Sequence, residues 1–226
     1  MFGDLKVRVY SSYMHHNLVN RVVEGLKKDG VAVFLTGSHA RGEATYKSDV
    51  DVLVVTKSDH SFEEKIVDGV VVEIKRNTLE GFKEKIAKDP MNTYQWLDAK
   101  PLYDPENLME DLRNFAYDAI AKYRPADFPR KWLESAKIKI ESAQEANNDL
   151  LLGFHVTNVL WKIVEGLYAI NSLPTPPSST AFKRLTNLKV LPENFKDVWT
   201  NSLTGDLEKR TRATLDLIEF LLEQQL

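Results

Sequence analysis

The sequence predicts an α+β chain in which a small mixed-sheet domain is followed by an all-helical bundle domain. Strand-like and helical patterns alternate through residues 1–124, whereas residues 125–226 show only the apolar spacing of helices. Between them, Pro125 and Pro129 in the segment YRPADFPRK are typical of a linker. We therefore expect two domains, residues 1–124 and residues 125–226.

The division rests on the predicted secondary structure, which mixes short strands with helices in the first half and consists of helices in the second. In the first half, apolar runs predict strands over residues 31–36, 50–55 and 70–74, the last two rich in valine, and the short segment 100–103 is a further candidate strand. Helical spacing predicts helices over residues 11–29, 79–88 and 106–122, with a short one at 38–42. In the second half, helices are expected over residues 132–147, 150–170, 180–186, 193–201 and 206–226.

Composition narrows the classes of function. The 226 residues are 43% hydrophobic and 28% charged, values that let a globular chain bury a core. No cysteine is present, which excludes disulfides, thiolate metal sites and cysteine nucleophiles and suits a reducing cytosol. The formal net charge is −3, so the chain lacks the excess of basic residues that is typical of proteins that bind a long nucleic acid.

The location expected from these features is cytoplasmic. The N-terminus shows no signal-peptide pattern, and we expect no run of about 18 apolar residues able to span a bilayer. Neither a membrane nor a long nucleic acid is therefore an expected partner. The oligomeric state, a homodimer included, stays open.

A glycine–serine turn directly follows the first predicted strand. Gly37 permits close approach of the backbone to a ligand, and the start of the short helix offers N–H groups and the Ser38 hydroxyl to an anion. Arg41 lies on the same turn, where its guanidinium is suited to clamping phosphate oxygens. The alternative is an ordinary tight turn with a surface arginine.

Two aspartates begin the next predicted strand. Asp49 and Asp51 are two residues apart, so both side chains project from one face of the strand. The opposite face carries Val50, Val52 and Val54. Neighbouring carboxylates repel each other and lose hydration at the edge of a core, and a divalent cation relieves both costs. The alternative is a polar strand start with an exposed aspartate.

A third acid, Glu73, interrupts the apolar strand VVVEIK. If this strand pairs antiparallel with residues 50–55, Asp51 lies opposite about position 74, and Glu73 is within one residue of it in register. Glu73 is then a candidate metal ligand, a general base, or both. The alternative is a cross-strand salt bridge or a solvated edge that includes Lys75.

Together these features resemble the nucleotidyltransferase superfamily related to DNA polymerase β. The signature G-S-x-A-R-G followed by S-D-x-D reads here as Gly37-Ser38-His39-Ala40-Arg41-Gly42 and Ser48-Asp49-Val50-Asp51. The helical second half is similar in layout to the kanamycin-type antibiotic nucleotidyltransferases.

The resemblance implies a role for each matched residue. Gly37 and Ser38 would hold the β- and γ-phosphates, Asp49 and Asp51 would bind two Mg²⁺ ions, and Glu73 would bind one of them or activate the acceptor. Arg41 and Ser48 belong to the same nucleotide-binding set. We add Lys162 to that set because His155, Asn158, Lys162 and Glu165 form one polar stripe on a predicted helix, although such stripes are often only solvated.

The function expected from the resemblance is Mg²⁺-dependent transfer of a nucleoside monophosphate (NMP) from a nucleoside triphosphate (NTP). ATP is the expected donor, and the acceptor is a hydroxyl of a small, antibiotic-like molecule, attacked by a two-metal mechanism. Two alternatives stay open: a nucleotidyltransferase that AMPylates a protein, and a non-catalytic nucleotide-binding regulatory module. Fold-level analogy does not name the acceptor.

Overall fold

The computed structural model describes residues 17–28, 30–125 and 128–224. The chain divides into two compact units, Met1–Lys122 and Tyr123–Leu226. A mixed sheet with helices forms the first unit, and helices form the second, so the predicted fold class is confirmed. The assignment of residues 1–124 and 125–226 to a catalytic and a helical domain stays a prediction.

A five-stranded sheet is the centre of the first unit. Its strands are β1 (Ala32–Leu35), β2 (Val50–Val55), β3 (Phe62–Val67), β4 (Val70–Asn77) and β5 (Lys100–Tyr103). They lie in the order β3-β4-β2-β1-β5. Strand β1 pairs antiparallel with β2 and β5, β3 pairs antiparallel with β4, and β2 pairs parallel with β4.

The parallel pairing of β2 with β4 shows that the antiparallel pairing expected from the sequence is wrong. Strand β3, which the sequence analysis did not predict, lies between them along the chain. The chain reverses at Asp68 and Gly69, whose φ angles of 52° and 78° are typical of a two-residue hairpin turn. The chain thus reverses once between β2 and β3 and again between β3 and β4, so β4 runs in the same direction as β2. Asp51 is therefore in register with Glu73, and Val52 is the residue opposite Ile74.

The two faces of the sheet are covered by different helices. Helices α1 (residues 17–26), α2 (Gly37–Arg41), α3 (Leu79–Lys88), α4 (Thr93–Asp98) and α5 (Leu108–Lys122) belong to this unit. Val50, Val52 and Val54 pack in one cluster with apolar residues of α1. Leu53 and Val55 pack in the other, with residues of α3, α4 and α5. By strand alternation, Asp51 is on the Leu53 face, near the start of β2.

Helices α6 to α10 form the second unit. They are α6 (Arg130–Glu145), α7 (Asp149–Ile170), α8 (Ser178–Arg184), α9 (Phe195–Thr204) and α10 (Leu207–Glu223). Helix α7 begins after Asn148, whose side chain accepts a hydrogen bond from the Leu151 N–H and so satisfies one free donor of the first turn. One apolar cluster, which includes Val156, Ile163 and Leu217, is the core of this unit.

Helix α7 corrects one expectation about membranes. Among the described residues it is long and apolar enough to cross a bilayer by length and composition, although no such segment was expected. A buried core helix passes the same test, and α7 supplies Val156, Ile163 and Leu167 to the core of the helical unit. Its apolar character therefore has a packing explanation.

The hairpin turn gives a backbone test with a matched control. A Cβ at Gly69 meets no atom within 4 Å, so Gly69→Ala adds only the strain of an alanine at φ 78°. We expect a loss of about 1–2 kcal/mol in the free energy of unfolding, measured by denaturant titration. Gly25 in α1 is equally open but helical, so Gly25→Ala should stabilise by up to about 1 kcal/mol. A loss of equal size in both variants would contradict the turn geometry.

Candidate active site

The glycine–serine turn follows β1 as the first two residues of α2 and lies against Asp51. Thr36 donates its N–H to the Asp51 carbonyl oxygen at 2.9 Å, which fixes the end of β1 beside β2. Gly37 follows with a φ of 65°, a conformation that favours glycine. A Cβ at this position would overlap the Asp51 carboxylate, approaching its Cγ to 3.1 Å. Glycine is thus required both by the backbone conformation and by the nearness of the aspartate.

Ser38 is the second residue of this turn. Its Oγ is buried and has no hydrogen-bond partner among the described residues. A buried polar atom left unpaired costs about 1–3 kcal/mol, so such atoms need an explanation. A bound ligand that accepts the hydroxyl proton would satisfy the Ser38 Oγ.

Asp51 and Glu73 lie side by side on neighbouring strands. They are register partners in the parallel β2–β4 pair and therefore project from the same face of the sheet. Asp49 directly precedes β2, and its side chain is exposed. Burial raises the pKa of the Asp51 carboxyl above its ordinary value, and the negative charges of Asp49 and Glu73 raise it further. The Lys75 ammonium opposes this shift.

Lys75 contacts both acids of the pair. Its Nζ lies 2.9 Å from Glu73 Oε2 and 3.7 Å from Asp51 Oδ1. The contact with Asp51 crosses from β4 to β2, whereas the contact with Glu73 lies within β4 and so is not the cross-strand salt bridge expected as the alternative for Glu73. The part of the chain that the structure describes contains no group of three or more His, Cys, Asp or Glu side chains placed to hold a metal ion. In this arrangement the ammonium supplies the positive charge beside Asp51 and Glu73.

Arg41 is held by two carboxylates that the sequence analysis did not identify. Its Nε donates to Glu43 Oε2 at 2.8 Å, and its Nη1 lies 3.9 Å from Asp98 Oδ2. Asp98 ends α4, a helix that was not predicted, so no spacing in the sequence indicated this contact. The guanidinium therefore ties the turn to α4. A phosphate contact for Arg41 stays a prediction.

Ser48 and Lys162 have local partners. Ser48 Oγ accepts a hydrogen bond from the Thr45 N–H at 2.9 Å and so closes the turn that leads to Asp49. Lys162 is on α7 of the second unit, where its Nζ donates to Glu165 Oε2 at 2.6 Å and lies 5.9 Å from the centre of the Trp132 ring. Nucleotide binding by either residue stays a prediction.

The nearness of Gly37 to Asp51 is open to a double-mutant test. Gly37→Ala should cost more unfolding free energy than Gly42→Ala, by about 1–3 kcal/mol, because only the first variant adds overlap. Gly42 has a similar φ of 73° but nothing within 4 Å of an added Cβ. In an Asp51→Ala background the two substitutions should cost the same, about 1–2 kcal/mol each. An unchanged difference between them in that background would exclude the contact.

The raised pKa of Asp51 predicts a stability change that depends on pH. The folded chain binds the Asp51 proton more tightly than the unfolded chain, so this group disfavours folding above its ordinary pKa of 3.8. The penalty grows as the pH rises through the raised pKa. In thermal denaturation with a chelator, Asp51→Asn should therefore raise the midpoint at about pH 7, and the gain should shrink toward about pH 4.

Glu63 provides the control of opposite sign. Hydrogen bonds from Arg76 and Lys65 lower the pKa of the Glu63 carboxyl, so its charge favours folding above the ordinary pKa and that contribution is lost as the pH falls. Glu63→Gln should lower the midpoint at about pH 7 by a small amount, because the group is exposed. An Asp51→Asn midpoint at or below that of the wild type at neutral pH would contradict the burial argument.

Comparison with known proteins supports the interpretation of the motif. Residues 18–126 match the family described as the nucleotidyltransferase domain. No curated protein matches the chain. A nucleotidyltransferase-like protein from Exiguobacterium sibiricum 255-15 is among the solved structures that match, with 13% identity over 86% of this chain and 68% of that chain and a TM-score of 0.45.

The family match covers all of the candidate residues except Lys162, and it supports transferase activity of the nucleotidyl type. The similarity of the second half to the kanamycin-type enzymes stays a prediction. The motif lies where β1 ends and β2 begins in the mixed sheet. Together with the family match, this shows that the N-terminal unit of this chain has the nucleotidyltransferase fold.

Proposed function

We propose that the N-terminal unit transfers an NMP from an NTP to a hydroxyl of a small-molecule acceptor with the help of Mg²⁺. The observation that carries this proposal is the register of Asp51 with Glu73 on one sheet face, beside a turn whose glycine lies against Asp51. Two carboxylates on one sheet face and a glycine–serine turn with backbone and hydroxyl donors are groups that such a transfer can use.

The residues present fit a magnesium ion. Mg²⁺ prefers carboxylate oxygens, and Asp49, Asp51 and Glu73 are the residues that would hold it. Asp51 and Glu73 are register partners on one face of the sheet, so their carboxylates are available to the same ion. When bound, Mg²⁺ would stabilise charge on phosphate oxygens and polarise the attacking hydroxyl. The unpaired Ser38 Oγ offers a donor to the same phosphates.

The chain's own residues then have separate tasks. The Gly37 backbone permits a phosphate to approach the turn, and the Ser38 hydroxyl donates a hydrogen bond to it. Glu73 accepts the proton of the acceptor hydroxyl as its oxygen attacks the α-phosphorus. The bond from that phosphorus to the pyrophosphate oxygen breaks, so pyrophosphate leaves and the acceptor carries the NMP. ATP is the donor we expect.

One observation favours a second candidate. Lys75 already contacts Asp51 and Glu73, and the described residues hold no group of three or more potential metal ligands. A module that binds nucleotide without turnover would keep the two acids and Lys75 in this arrangement. Such a module would be stabilised by nucleotide and would show no transfer to any acceptor.

The test combines nucleotide binding with transfer. Thermal shifts with each NTP and Mg²⁺ identify the donor, since a ligand that binds the folded state raises its stability. Transfer of label from an α-phosphate-labelled NTP to a panel of hydroxylated small molecules, aminoglycosides included, then measures turnover. Asp49→Ala, Asp51→Ala and Glu73→Ala should each lower transfer by about 10²–10³-fold or more, because charge stabilisation at the reacting phosphate is lost.

Glu64→Gln is the matched control for these variants. Glu64 is the β3 register partner of Glu73 and so lies on the same sheet face, one strand further from Asp51. Transfer by Glu64→Gln should equal that of the wild type. Full turnover in Asp51→Ala would remove the mechanism, whereas nucleotide binding without any transfer would favour the non-catalytic module.

A further inference from the structure

Lys75 is the positive group nearest to both acids of the candidate site in the contacts described above. It shares their sheet face because it is two residues after Glu73 on β4, and strand alternation returns the side chain to the same side. Its Nζ contacts Glu73 at 2.9 Å and Asp51 at 3.7 Å. One ammonium thus joins the second and third acids of the predicted metal set.

This position conflicts with that of a divalent cation. A metal ion bound to both carboxylates would lie close to the ammonium, which contacts one oxygen of each, Asp51 Oδ1 and Glu73 Oε2. Like charges at such range repel each other, weakly in bulk water and more strongly where the site is partly buried. Metal binding is therefore weakened while the ammonium keeps both contacts.

The structure provides a place to which the ammonium can move. The Lys75 side chain is 43% exposed, so it is not locked by packing. Phe62 on the edge strand β3 is the register partner of Lys75, and the Nζ lies 5.9 Å from the centre of its ring. A cation over an aromatic face is favourable at this range. Phe62 thus offers the ammonium a partner other than the two carboxylates.

We propose that Lys75 is a resident counter-ion that holds Asp51 and Glu73 together without metal and competes with the divalent cation for them. It is a positioning residue that sets the affinity of the site for metal. The inference rests on the proposed function, since it requires that these acids bind a divalent ion. Its consequence is that removing the ammonium tightens metal binding, while removing an acid weakens it.

The direct test measures binding of Mn²⁺, used as a paramagnetic substitute for Mg²⁺. The loss of the free-ion electron paramagnetic resonance signal gives an apparent dissociation constant for the full chain without nucleotide. Lys75→Met, which keeps the length of the side chain and removes its charge, should bind Mn²⁺ about tenfold more tightly than the wild type. Lys75→Arg should stay close to the wild type because it keeps the positive charge.

Lys65→Met is the matched control. It changes the net charge by the same amount, but Lys65 is the register partner of Val72 and so lies on the opposite face of the sheet. Its Mn²⁺ affinity should equal that of the wild type. Asp51→Asn should weaken Mn²⁺ binding in both the wild-type and Lys75→Met backgrounds, which shows that the tightened site is the one containing Asp51.

Thermal denaturation gives a second readout. In a chelator, Lys75→Met should melt at a lower temperature than the wild type, because two neighbouring carboxylates lose their counter-ion. Adding Mn²⁺ should raise its midpoint more than that of the wild type. Lys75→Gln repeats both measurements in case the methionine side chain alters packing, and circular dichroism confirms that each variant is folded.

The outcomes separate the two proposals. Equal or weaker Mn²⁺ binding in folded Lys75→Met and Lys75→Gln would overturn the counter-ion role, even if the wild type binds Mn²⁺ through Asp51. If neither the wild type nor the Lys75 variants bind Mn²⁺, the metal site of the proposed function fails and the counter-ion role fails with it.

Discussion

The parallel pairing of β2 with β4 is the constraint on which the candidate site depends. It sets Asp51 and Glu73 as direct neighbours, so their side chains project side by side from one face of the sheet. A shift of one residue in this register would move Glu73 relative to Asp51 and turn an apolar side chain toward the site. The register is fixed because Val50, Val52, Val72 and Ile74 are buried together in one apolar cluster. Packing on one face thus decides the chemistry on the other.

The site also shows how an unfavourable arrangement is maintained. The Asp51 carboxyl is largely buried and has Asp49 and Glu73 as neighbours. The turn approaches it so closely that only a glycine fits at position 37. Each feature costs stability, and such costs cluster at functional sites. The Lys75 ammonium offsets part of this cost by its contact with the Asp51 carboxylate. The hydrogen bond from the Thr36 N–H to the Asp51 carbonyl oxygen holds the backbone of the turn in place. The surrounding sheet and helices supply the rest of the stability.

Much of this arrangement could be predicted from residue patterns, because the deciding signals are local. Alternation along β2 correctly assigned Val50, Val52 and Val54 to one face of the strand, where they pack in one cluster. The β2–β4 direction could not be predicted in the same way. Strand β3 carries the charged residues Glu63, Glu64 and Lys65, a poor match to a strand pattern, and an exposed edge strand tolerates them. The Asp68–Gly69 dipeptide was the available signal for that hairpin.

Side-chain partners were harder to predict than backbone pairing. The contact of Arg41 with Asp98 joins segments 57 residues apart, and it depends on α4, whose six residues are too few for a helical period to stand out. Lys75 was visible as a neighbour of Glu73, but the expected antiparallel register set both residues one position from the residue opposite Asp51 and so did not single out the contact of Lys75 with Asp51. Contacts across strands follow from topology, and topology was the step at which local patterns gave the wrong direction.

The β3–β4 hairpin has a consequence for how this chain tolerates change. Because its tip at Asp68 and Gly69 is exposed and lies outside the β2–β4 pairing, which begins at Val72, extra residues there lengthen the loop and leave that pairing in place. The spacing along the chain between Asp51 and Glu73 is therefore free to vary while their spacing in space is not. A peptide tag or fluorescent label grafted at this tip would report on the edge of the sheet and leave the alignment of the two carboxylates intact.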